Sequence, residues 1–271
     1  MMTIRLPPMQ RLLEYVVENY CKLGGFCETE GVETDVAKCV KCHRDSFYDA
    51  CRAKYGCHNF MRLHVIRYLS SRVKPTSDLI GAHVLSDIGS RADLSVVALG
   101  GGPGTEALAL INQLSSYDGK HNLTFDNIDR EASWEPIYKD LVQTFAGWVQ
   151  TIKTDHRFFS IDVTSNFTAG QYDVVFVSWI LSLIDTKDRL SVLEKARDLA
   201  RSGGYIVITD RTETDLVEEI STLTKRFQDW TVVSQDIMPN IHCGVQVPDE
   251  IQRTFWVELC SNTAYWVMKK D

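Results

Sequence analysis

The chain reads as an α/β protein: a mostly parallel sheet with helices on both faces, finished by an antiparallel C-terminal strand and preceded by a cysteine-rich helical cap. Three observations predict this. From residue 94 onward, β-branched apolar runs alternate with helical patterns, as β-α-β units require. The run at 94–99 meets a glycine cluster at 100–104 and then, at once, a helical apolar pattern (Ala107, Leu108, Leu110, Ile111). Before residue 90 the pattern is helical and polar instead, and six of the eight cysteines lie between Cys21 and Cys57. Residues 1–90 are therefore expected to form the cap, and residues 91–271 the sheet domain.

Taken in order, residues 9–23 place Leu12, Leu13, Val16, Val17 and Tyr20 at helical spacing, and Gly24-Gly25 ends that helix. Residues 26–45 are polar and show no clear period. Two helices are expected over 46–73, broken near Gly56, with Pro75 closing the region and a short helix at 79–88. The expected strands are 94–99, 122–128, 157–161, 172–178, 203–209, 230–236, 253–260 and 263–268; the last two are joined by a hairpin-like Ser261-Asn262. Helices are expected at 104–115, 132–151, 187–201 and 213–227.

Of the 271 residues 44% are hydrophobic and 24% charged, an ordinary globular balance. No apolar stretch approaches the roughly 18 residues of a membrane span. The N-terminus lacks the apolar core of a secretory signal, and Glu14 and Glu18 interrupt any basic targeting helix, so an intracellular setting, cytoplasmic or nuclear and without membrane, is expected. Charge is uneven. Residues 38–74 hold nine lysines and arginines against Asp45 and Asp49, a local balance of +7 in a chain of net charge −7. That asymmetry suits a polyanion-binding surface, and it equally suits a solvated helical face balanced by acidic neighbours.

The order strand, Gly100-x-Gly102-x-Gly104, helix is too short for the dinucleotide fingerprint and carries no P-loop lysine. It resembles motif I of class I S-adenosylmethionine (SAM)-dependent methyltransferases, a Rossmann-like family, and the resemblance extends over 94–268. It implies that Gly100, Gly101, Gly102 and Gly104 pass under the amino-acid part of SAM, with Pro103 stiffening the turn and Glu106 in the first helical turn. The family's acid two residues before the first glycine is Ala98 here, which leaves the SAM ammonium to another group. The acid that accepts the ribose hydroxyls falls among Asp126, Asn127 and Asp129; strand alternation favours Asp129, with Asn127 second, and a helix cap is the structural alternative. Asp162 stands where the family's acid reaches the adenine amino group, with Ile161 or Val163 covering the ring; a loop cap is the structural alternative. Ser178 and Trp179 end the fourth strand, where α/β sheets place their chemistry. Trp179 there walls the cofactor, stacks on a flat substrate, or serves as a core aromatic. Asp210 and Asp185 are candidate bases that also suit helix caps.

The resemblance narrows the acceptor by what is missing. No Asp/Asn-Pro-Pro-aromatic follows the fourth strand, no cysteine lies between Cys57 and Cys243, and no Lys-Asp-Lys-Glu set can be assembled. A ring nitrogen, a hydroxyl or a carboxylate is left. The basic, aromatic stretch before motif I loosely resembles eukaryotic rRNA-type methyltransferases, so RNA is the expected partner, with Arg44, Tyr48, Arg52 and Arg62 as contacts. A small-molecule or protein methyltransferase and a SAM-binding scaffold without activity are the alternatives. Cys39-x2-Cys42 has zinc-knuckle spacing, and Cys21 and Cys27 are the expected partners for a structural zinc; buried thiols are the plain alternative.

Overall fold

The computed structural model describes residues 8–27, 31–47, 55–117 and 119–271. Helix α1 (Pro8–Tyr20) buries Leu12, Leu13, Val16 and Tyr20, the stripe that its spacing predicts. A short antiparallel hairpin, β1 (Gly25–Cys27) and β2 (Val32–Thr34), then leads into α2 (Val36–Phe47). Both lie in the stretch that showed no period. Three-residue strands are too short to show alternation, and the polar face of α2 hides its apolar one. Helix α3 (His58–His83) follows, then α4 (Leu85–Ile88).

Pro75 does not close the helical region as the sequence suggested; α3 runs through it. An interior proline costs about 3 kcal/mol. Burial along the whole helix, from Phe60, Leu63, Ile66 and Leu69 to Val73, Leu79 and Ile80, outweighs that cost.

The alternating part forms β3 (Asp93–Leu99), α5 (Thr105–Leu114), β4 (His121–Asp129), α6 (Trp134–Gly147), β5 (Ile152–Ser160), β6 (Tyr172–Ser178), α7 (Thr186–Leu199), β7 (Ala200–Asp210), α8 (Thr214–Thr224), β8 (Trp230–His242), α9 (Asp249–Phe255) and β9 (Cys260–Lys270). Seven strands make one sheet in the order β5-β4-β3-β6-β7-β9-β8. Strands β3 to β7 pair in parallel, and β9 runs antiparallel to β7, Tyr205 facing Lys269 and Asp210 facing Ala264. Contacts Thr231–Asp271, Ser234–Tyr265 and Asn240–Asn262 run in opposite senses along β8 and β9, so these two are antiparallel as well. The expected α/β sheet with its antiparallel C-terminal strand is present.

Its end is built differently from the expected hairpin. Residues 253–255 close α9, and β9 returns between β7 and β8. Pro248 followed by Asp249 and Glu250, with Arg253 in the last turn, is a helix-start pattern that the apolar residues after it obscure. Pro239 lies in β8, at the sheet edge, where a missing N–H is tolerated.

By internal contact the chain divides into two units: Met1–Lys74 with His242–Cys260, and Pro75–Ile241 with Ser261–Asp271. The sequence placed the boundary at 90/91 and kept 242–260 with the sheet. In the second unit Val97, Val175, Val177, Ile206, Ile208 and Trp266 form a core with the apolar faces of α7 and α8. None of the helices among the described residues is long and apolar enough to cross a membrane.

Candidate functional site

The C-terminal ends of β3, β4, β5, β6 and β7 bring together Gly100 to Gly104, Asn127 and Asp129, Asp162 and Val163, Ser178 and Trp179, and Asp210. A parallel sheet does this by construction, since every strand ends on the same side.

After Leu99 the chain turns sharply and enters α5 at Gly104, whose φ of 89° is left-handed and favours glycine. A Cβ on Gly104 would lie 2.6 Å from the Tyr138 ring. Gly101 is required for a second reason: its Cβ would lie 2.1 Å from Asn127 Oδ1 and 2.8 Å from the Ala98 methyl. The loop is thus pressed onto β3 and β4 at a distance that only glycine allows. Ala98, which stands where the family has an acid, forms part of that floor.

Asp129 ties the loop to the next strand. Gly102 N–H donates to its Oδ2 at 3.0 Å, and Glu131 N–H donates to its Oδ1 at 2.9 Å. Each oxygen keeps a further lone pair for a diol. Burial pushes this carboxyl up to about 6; the two backbone donors and Arg130 oppose the rise, and Glu131 adds to it. Asn127 is fully buried and donates to the Gly102 carbonyl at 3.0 Å, while its buried Oδ1 has no hydrogen-bond partner. Asp126, the third candidate, is committed elsewhere: it accepts both forks of Arg157, at 2.7 and 2.9 Å, and the Tyr172 hydroxyl at 2.6 Å. Strand alternation separates it from its neighbours.

Asp162 Oδ1 accepts from the N–H and the hydroxyl of Thr164, at 2.8 and 2.7 Å, which makes it a loop cap. Those bonds, aided by Arg130 and Lys195, outweigh the upward push of burial and hold its carboxyl below the usual range. Val163 is buried beside it. Glu106 is buried in the first turn of α5, where the helix N-terminus favours negative charge.

At the end of β6, Trp179 adopts φ 58° and donates its backbone N–H to the Thr209 carbonyl at 2.7 Å. A bulky residue in the left-handed region is strained, and such strain concentrates at functional sites. The buried hydroxyls of Ser178 and Thr209 have no hydrogen-bond partner. Asp210 is fully buried, and its oxygens hold the N–H groups of Ser182, at 3.1 Å, and Arg211, at 2.8 Å. Burial raises its carboxyl, and these bonds oppose the rise. It positions the turn after β6, and the buried carboxylate faces that turn. Sequence reasoning missed Ile180, whose Cδ1 would lie 2.2 Å from a Cβ on Gly100, and Trp134, which flanks Gly102. Only their positions next to Trp179 and the acid pointed to them.

These residues fit SAM: a glycine turn opening a helix, a carboxylate with spare lone pairs at the next strand end, and an orphaned amide oxygen between them. The other predicted residues lie in the first unit. Arg44 pairs with Asp45 at 3.2 Å and its guanidinium lies 5.5 Å from the centre of the Trp256 ring; Arg62 donates to the Lys22 carbonyl at 2.9 Å. Tyr48 and Arg52 lie outside the described residues. Cys21, Cys27, Cys39 and Cys42 are not assembled as a metal centre, and no group of three or more ligating side chains is, among the described residues.

No protein-family model matches the sequence, and no curated protein matches it. Solved structures do. The plantazolicin methyltransferase BpumL, in complex with a monoazolic desmethylPZN analog and SAH, is 14% identical with a TM-score of 0.51, covering 96% of this chain and 100% of that one. Magnesium protoporphyrin IX methyltransferase (ChlM) from Synechocystis PCC 6803, with bound SAM, is 14% identical with a TM-score of 0.49, covering 89% and 99%. The fold is that of the class I SAM-dependent methyltransferases.

Proposed function

We propose that this chain transfers a methyl group from SAM to an acceptor. The observation that carries the reading is the Gly102–Asp129 hydrogen bond. It joins the glycine turn after β3 to the acid ending β4, the two places where the sequence resemblance puts the amino-acid and ribose parts of the cofactor. Bound SAM supplies a methyl group already activated on sulfur, so the protein's task is binding and in-line orientation. Asp129 accepts the ribose hydroxyls, Asn127 and the α5 N-terminus hold the polar end, and Val163 covers an apolar face. Asp210 fixes the turn behind Trp179, whose ring walls the reacting side.

The acceptor we propose is RNA, and the support is the +7 window at 38–74. A small-molecule acceptor is the second reading, favoured by Arg67: it is buried and its guanidinium donates to His43 at 3.1 Å, so it is spent inside the first unit. Transfer of labelled methyl from SAM into a cell extract, followed by separate nuclease and protease digestion, tests both. Label lost to nuclease supports RNA, and label that survives both digestions supports the small molecule. No transfer to any fraction, with SAM still bound, refutes the enzyme reading in favour of a binding scaffold.

A further inference from the structure

Strands β1 and β2 have three residues each, and a hairpin of that size is marginal without a partner. Among the described residues, Cys27, Cys57 and Phe60 form a small apolar cluster, with half-buried Tyr55 beside them. Small units of this kind are commonly stapled by a disulfide or a metal. Cys27, Cys39, Cys42 and Cys57 carry no disulfide.

These same four cysteines line one cavity of about 540 Å³. They come from three places: Cys27 from the hairpin, Cys39 and Cys42 from one face of α2, and Cys57 from the entry to α3. Thr34 Oγ1 sits 3.6 Å from the Cys39 sulfur. Lys38 and Lys41 line the cavity too, as do Glu33 and Asp45.

We propose that Cys27, Cys39, Cys42 and Cys57 bind one structural zinc ion. Four sulfurs from three elements suit a tetrahedral ion with a closed shell. The sulfurs line the walls without meeting at ligating distance. Zinc entry displaces one proton from each of the four thiols and draws them inward by side-chain rotation, so binding and ordering of the hairpin are one event. Cys21 does not line the cavity. Cys57 therefore replaces Cys21 in the ligand set that the spacing suggested. Cys51 lies outside the described residues.

The test uses the reduced full-length chain under argon. With Co2+ as probe, the wild-type chain and C21S should take up a single equivalent and develop the intense visible bands of a tetrahedral thiolate site, which a single equivalent of Zn2+ then abolishes. C27S, C39S, C42S and C57S should each weaken uptake by on the order of 100-fold or more. If a serine variant fails to fold, alkylation of the wild-type chain followed by mass spectrometry decides: zinc should protect Cys27, Cys39, Cys42 and Cys57 and leave Cys21 and Cys260 reactive. No tetrahedral Co2+ spectrum, or protection that includes Cys21 and omits Cys57, overturns the assignment.

Discussion

If Asp129 receives the cofactor ribose as proposed, cofactor affinity should depend on pH. The Asp129 carboxyl is raised to about 6 in the folded chain because its removal from water outweighs the two backbone N–H groups and Arg130 that oppose the rise. The sign follows. An acid whose folded pKa lies above its ordinary 3.8 makes the ligand-free fold most stable at low pH, and that contribution is lost as pH rises from 3.8 through 6. A diol donates only to the ionised form with full strength, so binding selects the carboxylate and should tighten over the same interval. With a pKa near 6, roughly one molecule in eleven is competent at pH 5 and roughly ten in eleven at pH 7, which predicts about tenfold weaker binding at pH 5. Isothermal titration with SAH, which cannot react, reads this directly. Asp129→Asn leaves an amide N–H opposite the backbone donors and removes charge-assisted bonds worth about 1.5–3 kcal/mol. Its affinity should therefore fall about 10- to 100-fold at pH 7 and lose the slope. A wild-type affinity that is flat from pH 5 to 7, or an Asp129→Asn variant that keeps the slope, would refute the assignment of Asp129 to the cofactor.

Two further substitutions separate site from scaffold. Gly101→Ala forces a methyl to within 2.1 Å of Asn127 Oδ1, and overpacking of this kind costs about 1–3 kcal/mol; calorimetry should show a lowered melting temperature together with weaker SAH binding, and an unchanged melting curve would contradict the close packing described. Tyr172→Phe removes one of the three hydrogen bonds into Asp126, far from the cofactor side of β4. Urea denaturation should show a loss of about 1 kcal/mol with SAH affinity unaltered, and a change in affinity would mean that Asp126 belongs to the site after all.

Much of this was legible in the chain itself. The strand–glycine–helix unit at 94–110 is local: glycines make a turn and apolar periodicity makes a buried strand and an amphipathic helix whatever surrounds them. The sidedness of β4 is equally local, since pleat alternation from Leu123 and Phe125 puts 127 and 129 on one side and 126 on the other. What periodicity could not carry lies where tertiary contacts overrule local preference. Helix α3 persists through Pro75 because the residues around it are buried, which a window of sequence cannot weigh. The last strand enters between β7 and β8 through a helical excursion, a choice of partner made across the sheet. The left-handed Trp179 is held by its bond to Thr209, thirty residues on. The grouping of Cys57, and not Cys21, with the cysteines of β1 and α2 depends on how the hairpin, α2 and the start of α3 come together. Residue type and spacing thus determined the fold class and the chemistry offered at the strand ends, because both follow from short-range geometry. Which side chains share a cavity was decided only by the tertiary structure, because that depends on burial and on contacts between residues distant in the chain.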